Sequence, residues 1–261
     1  MRIASIGHAV FSIAMIGLGI VGLLYRDLVP VWNPVPASVT AHELFVSLAA
    51  LISLATGIGL LVSRTATIAA RLLFATLLFW LLLFRLPNFL HTALFAACWS
   101  VFPLLVILAA AWVLYVWYAA DWDRRHLRFI SGNNGLHIAR VLYGLPLIFF
   151  GAAHFIDVKD TLSLIPEWLP GHLFWAYFTG SAFVAAGIAV LIRFWARLAA
   201  CLAALQIGLF LLLVWIPIVA AGSKVAFQWS ETILNAALLA AAWVIADSYR
   251  DTPWLAGNDL Q

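Results

Sequence analysis

Charge is scarce in this sequence. Of 261 residues only 14 are lysine or arginine and 11 are aspartate or glutamate, 10% together, against 66% hydrophobic. A soluble domain carries about 25% charged and 45–50% apolar residues, so no water-soluble fold covers this much apolar surface. The few charges are also widely spaced: 23 residues separate Arg2 from Arg26, 20 separate Glu43 from Arg64, 25 separate Glu167 from Arg193 and 26 separate Arg197 from Lys224. Each run is long enough to cross a bilayer as a helix, which takes about 20 residues. A membrane barrel does not fit, because its strands alternate apolar and polar over roughly ten residues and these runs are apolar on every side.

Other shortages narrow the chemistry. There are two cysteines, Cys98 and Cys201, and no C-x-x-C pair, so a dithiol redox role has no local support. They fall near opposite membrane faces, whereas a disulfide needs Cα atoms within about 7 Å, so no bridge within the chain is expected. No His-Glu-x-x-His, Gly-rich phosphate loop or nucleophile triad occurs, which removes soluble-type hydrolase and nucleotide chemistry and any evident metal site. The basic residues lie scattered in ones and twos and form no stripe, so nucleic acid is excluded as a partner despite a pI near 9.1.

What remains are eight apolar segments, at about residues 6–24, 44–62, 68–86, 94–117, 138–156, 173–192, 198–216 and 226–246. The first is too long and apolar for a signal-peptide core and no small-residue cleavage site follows it, so it reads as a retained span. Eight spans put both termini on one side. That side holds Arg2, Arg64, Arg71, Arg124, Arg125, Arg128, Arg140, Arg193, Arg197 and Arg250, and the other holds Arg26, Arg85, Lys159 and Lys224. The positive-inside rule then makes both termini cytoplasmic, with the lipid bilayer of an inner membrane as the first partner.

The chain also repeats itself. At an offset of 130, His42 falls on His172, Gly57 on Gly187, Pro87 on Pro217 and Trp99-Ser100 on Trp229-Ser230. With a one-residue slip, Ala109-Ala110-Ala111-Trp112 meets Ala240-Ala241-Ala242-Trp243, Arg64 meets Arg193 and His8 meets His137. The expected organisation is a four-span repeat over residues 1–120, a polar linker over 121–135, a second four-span repeat over 136–250 and a tail over 251–261. Four spans per copy make the repeats parallel, and two packed four-helix bundles are expected. Each copy carries an outward loop with prolines and a tryptophan, Trp32 or Trp168, for which the headgroup layer is the expected place. Trp80, Trp112, Trp117, Trp215 and Trp243, near span ends, read as interfacial belts in the same way.

Phe150-Gly151-Ala152-Ala153-His154-Phe155, the loop Ile165-Pro166-Glu167-Trp168-Leu169-Pro170, the stretch from Thr179-Gly180 to Gly187, and Ala196-Arg197-Leu198-Ala199-Ala200 carry a resemblance. Over about 115 residues the second copy resembles the DoxX and DoxX-like family of four-span membrane proteins. The first copy looks like a diverged version, with Gly22 where His154 stands. The resemblance implies a bacterial inner-membrane protein linked to respiratory or oxidative-stress complexes, similar to a subunit of a thiosulfate:quinone oxidoreductase. It therefore implies a quinone as cofactor class and a redox protein as partner.

Ionisable groups at membrane depth are costly and mark candidate sites. His154 and Asp157 are spaced i, i+3, so on a continuing helix they share a face and the carboxylate can orient the imidazole. The structural alternative makes His154 a strap for the proline loop. Arg85 and Glu231, one in each copy, are expected either as an ion pair across the interface or as two groups reaching headgroups. With Trp168 and His172 these form the expected ligand-binding set at the outer face. The histidine pairs His8/His137 and His42/His172 raise haem ligation, which is not expected because all four stand at span boundaries. Gln206, Asn235 and Tyr143 read as groups that bond between helices. Three functions follow: an accessory subunit of a quinone- or thiol-linked redox system holding a lipid-like molecule near the outer face, a carrier for a small amphiphile between the copies, or a scaffold without a small-molecule site. Whether the chain catalyses a reaction, and whether it acts as a monomer or a homo-oligomer, is open at this stage.

Overall fold

The computed structural model describes residues 4–27, 29, 31–33 and 42–257. Eight helices are long and apolar enough to span a membrane: α1 (Ile6–Tyr25), α2 (His42–Leu61), α3 (Ala66–Leu90), α4 (Leu94–Tyr118), α5 (Asn133–Ile156), α6 (His172–Leu191), α7 (Ala196–Ala220) and α8 (Ala226–Asp247). No strand occurs among the described residues. The chain is an all-α, multi-pass membrane protein. In a bilayer core no water serves the backbone, so every apolar run closes its own hydrogen bonds as helix. The polar linker is not a simple turn: it forms short helices at Asp121–His126 and Arg128–Ser131, and α5 begins at Asn133 with Gly132 as its cap.

Both described chain ends lie at one end of the molecule. At the start of α1, the His8 ring lies 5.4 Å from that of Tyr118 at the end of α4, and a Cβ on Gly7 would stand 2.9 Å from Oδ2 of Asp247 at the end of α8. We call this end inner and the opposite one outer, after the charge asymmetry.

The helices do not form two separate bundles. Within residues 6–118, α2 packs on α1 and α3, and α3 packs on α4; residues 133–247 repeat the order. The long flank of α1, however, lies on α8, and that of α5 lies on α4, so each fourth helix seats against the first helix of the other set. Helices α4 and α8 also pack on each other at the centre, and each contributes three consecutive alanines with no exposure: Ala109, Ala110 and Ala111, and Ala240, Ala241 and Ala242. Small side chains let helix backbones approach closely where lipid supplies no hydrophobic drive. Of the two packed four-helix bundles expected from sequence, the contacts show how the sets interlock: the fourth helix of each lies on the first helix of the other.

Close backbone approach recurs within each set. A Cβ on Gly19 would stand 2.7 Å from the carbonyl of Ala50, and one on Gly151 would stand 2.4 Å from that of Gly180. Gly57 meets Ser12 and Ile16 in the same way as Gly187 meets Gly144 and Ile148. Gly151→Leu is expected to abolish a monodisperse fold, and Gly151→Ala to cost about 1–3 kcal/mol by forcing α5 off α6. A melting curve in detergent checks this, and an unshifted Gly151→Ala would contradict it.

Helices α3 and α7 each widen into a π turn before their proline, at Leu81–Arg85 and at Leu211–Trp215. Pro87 and Pro217 lack an N–H, and their rings crowd the carbonyls four residues back, which opens the preceding turn.

The tryptophans depart from expectation. Trp168 is 68% exposed, as a headgroup anchor is, but Trp32, Trp80 and Trp112 are buried in the core. Trp32 donates from Nε1 to the Ser53 hydroxyl at 2.9 Å, and its carbonyl accepts Nε1 of Trp80 at 3.0 Å. An indole with a hydrogen-bond partner inside the protein gains more by packing than by lying in the interface.

Candidate functional site

At the outer end a cavity of about 430 Å³ opens between α1, α4 and α8, so both sets contribute to it. Its walls combine apolar surface from Val21, Val29 and Phe227 with polar groups from Tyr25, Asp27, Asn33, Trp99, Ser100, Ser230 and Glu231. The position of each follows from the helix ends. Tyr25 closes α1, and Arg26 in the left-handed conformation turns the chain so that Asp27 and Asn33 come over the opening. Asp27 also approaches His42 at the start of α2, 4.0 Å away. On the far wall, Trp229 donates to the carbonyl of Ser223 at 2.9 Å and the Ser223 hydroxyl donates to the Gln228 side chain, which holds the first turn of α8 under Glu231. Glu231 is half-buried, and its carboxylate makes no hydrogen bond or ion pair with the described residues. In an apolar setting such a group demands a donor from whatever fills the cavity.

Arg85 supports this site from beneath. Its guanidinium has no exposure, and it donates to the carbonyl of Ser100 at 2.8 Å and to that of Val31 at 2.7 Å. The expected ion pair with Glu231 is therefore corrected. Backbone carbonyls at a proline-rich loop and at the start of α4 satisfy the cation, and they offer directional acceptors without burying a second charge.

The other expected residues lie elsewhere. His154 ends α5 inside an aromatic set, 5.8 Å from the ring of Phe183 and 5.9 Å from that of Phe210, with Nδ1 hydrogen-bonded to the carbonyl of Phe150 at 2.7 Å. Asp157 terminates the helix with φ −104° and ψ 49°, so it does not continue the face of His154, and no bond joins the two side chains. His172 begins α6 and Trp168 projects from the preceding loop. None of these four lines the Glu231 cavity. His8 contacts Tyr118 and His137 contacts Arg193 at 2.8 Å, so each histidine has a local neighbour within its own set. No group of three or more metal-ligating side chains occurs among the described residues. Both cysteines are free, and Gln206 of α7 donates to the Thr179 carbonyl of α6 at 2.9 Å.

Of the cavity residues, only Glu231 is among those expected from sequence. The repeated pairs Trp99-Ser100 and Trp229-Ser230 carried a signal for the rest, since Trp99, Ser100 and Ser230 form the walls. No family model, curated protein or solved structure matches the chain.

Proposed function

We propose that this protein is an accessory membrane protein, DoxX-like and built of two parallel four-span copies, that holds one lipid-like molecule at its outer end for a quinone- or thiol-linked redox system. The observation that carries the binding is the cavity between α1, α4 and α8 with the carboxylate of Glu231, which has no partner among the described residues, on its wall. Its size falls in the range of small-molecule sites, and its mixture of apolar walls with a few polar groups suits an amphiphile. A ring hydroxyl or a cationic head donates to Glu231, while its apolar part lies against Val21, Val29 and Phe227. The two-copy organisation has support from the π turns exactly one offset apart and from the matched glycine contacts. The redox assignment rests on the resemblance.

Glu231→Gln is expected to weaken retention of the molecule by roughly tenfold, the worth of one charge-assisted hydrogen bond, without lowering the melting temperature. Mass spectrometry of lipids and quinones retained after gentle extraction reads this directly. Equal retention by wild type and variant would remove Glu231 from the site. In the same assay His154→Ala is expected to leave retention intact, because His154 packs among Phe183 and Phe210.

A second reading is a carrier for a small amphiphile, favoured by a cavity that both sets line. Transport by the purified chain alone in liposomes would establish it. An accessory protein binds under those conditions and moves nothing.

A further inference from the structure

We propose a second site at the inner end: a groove between α7 and α8 that seats one anionic phospholipid of the surrounding leaflet, with its phosphate at Arg197 and Arg250. The groove has a volume of about 440 Å³ and exists because one set lacks side chains that the other has. At the offset of 130, Phe74 and Leu78 of α3 correspond to Ala204 and Gly208 of α7, and Arg71 corresponds to Cys201. At the offset of 131 that aligns the alanine triplets, Tyr115 of α4 corresponds to Ala246 of α8. In the first set the space is full: the Phe74 ring stacks on Tyr115 with centroids 5.1 Å apart and leans on Trp112 at 4.8 Å, and Arg71 reaches across to Asp123. In the second set Ala204, Gly208, Cys201 and Ala246 leave a slot, with Leu205 and Leu212 along it. A slot of that shape and lining fits an acyl chain.

The mouth of the slot is cationic and prearranged. After α8 the chain turns back across the start of α7, where the Ala256 carbonyl accepts the amide of Trp195 at 3.0 Å. This brings Trp254 under Arg197, whose guanidinium carbon lies 4.1 Å from the ring centre, while Nη1 donates to the Thr252 carbonyl at 2.9 Å. The guanidinium is held flat over the indole, and among the described residues Nη2 and Nε have no hydrogen-bond acceptor, which leaves the fork that phosphate oxygens accept. Arg250 stands at the same mouth, with Nε 3.8 Å from the exposed carboxylate of Asp251, a loose pair that a phosphate can displace. Asp247 lines it too, with its Oδ2 buried toward Gly7 of α1. Basic pockets between helix ends on the positive side of a membrane suit anionic headgroups, and tryptophans flank such headgroups at the interface.

Native mass spectrometry of the full chain in micelles doped with phosphatidylglycerol or phosphatidylcholine tests the proposal. Wild type is expected to keep about one phosphatidylglycerol per chain, with a roughly tenfold preference over phosphatidylcholine that salt weakens. Arg197→Gln with Arg250→Gln should erase the preference. Because Arg197 also holds the C-terminal segment, a second variant leaves both arginines in place: Ala204→Phe fills the slot as Phe74 does and should lose the bound lipid with an unchanged or higher melting temperature. Equal binding of the two lipids by wild type overturns the proposal, as does full retention in Ala204→Phe. A dimer of wild type that Ala204→Phe dissociates would also overturn it, by making a second copy the occupant. The outer site stands apart from each outcome, since Glu231→Gln reads that site alone.

Discussion

Arg85→Leu is expected to lower the melting temperature in detergent by roughly 5–15 °C and to loosen the outer cavity at the same time. The guanidinium is buried without exposure, and it donates to the carbonyls of Ser100 and Val31. Leucine fills part of the volume and donates nothing. Two buried carbonyls then lose their donor, at about 1–3 kcal/mol each, and a protein of this size loses roughly 2–4 °C per kcal/mol. The damage is local as well as global. Val31 is followed by Trp32, which is wedged 5.0 Å from the ring of Trp80 and bonded to Ser53, and Val29 and Asn33 on either side form the cavity wall. Retention of the outer ligand should therefore fall with stability in Arg85→Leu, whereas Glu231→Gln separates the two. Arg85→Lys keeps a charge but not the fork that reaches two carbonyls, so partial recovery is expected. An unchanged melting curve in Arg85→Leu would show that water replaces the guanidinium.

The second large effect is expected at the inner end. The Asp123 side chain is fully buried, and its carboxylate accepts from Arg71 at 2.6 Å, from the amide of Ala120 at 3.0 Å and from the Tyr115 hydroxyl at 3.2 Å. The Ser131 hydroxyl donates to its backbone carbonyl, so one residue ties α3, α4 and both linker helices together. Arg71→Leu leaves a buried carboxylate without its cation, a loss of about 3–5 kcal/mol in a closed site. Because the Arg71 side chain is 45% exposed, water enters and the expected cost lies near the lower end, about 2–3 kcal/mol. Asp123→Ala should cost less than Arg71→Leu, since the freed arginine turns to solvent, and the double variant should cost less than the sum.

The same group predicts a pH dependence. Burial alone would raise the Asp123 carboxyl, but the bonds from Arg71, Ala120 and Tyr115 outweigh it and hold it below the ordinary value of 3.8. A carboxyl more acidic in the folded chain than in the unfolded one contributes stability that is complete above its unfolded value. That contribution is lost as pH falls through the folded value. Wild type should thus lose stability below about pH 4 more steeply than Asp123→Asn. Parallel acid limbs for the two proteins would contradict this.

Much of the architecture is legible in the sequence. All eight spans were expected, and most ends agree within a few residues, because an apolar run in lipid has one way to satisfy its backbone. The start of α5 was placed five residues late, since Ser131, Gly132, Asn133, Asn134 and Gly135 read as a turn, whereas Gly132 caps a helix that begins inside that string. Site residues were less legible. Arg85 and Glu231 were recognised as costly groups at outer depth, but their partners were not, because backbone carbonyls and cavities leave no trace in residue spacing. Asp123 lies within the segment read only as a polar linker, although its carboxylate anchors the inner end.

The sequence by itself determined that this is an all-α, multi-pass membrane protein with eight helices long and apolar enough to cross a bilayer, since length and apolarity are properties of the chain alone. Which helix lies on which is decided only by tertiary structure. The seating of α1 on α8 joins helices from opposite ends of the chain, and that of α5 on α4 joins the last helix of one set to the first of the other. The two cavities are likewise tertiary: one opens where helices of both sets diverge around Glu231, the other where alanine and glycine stand in place of an aromatic stack. A void is set by what surrounds it, and no single stretch of sequence contains all of its walls.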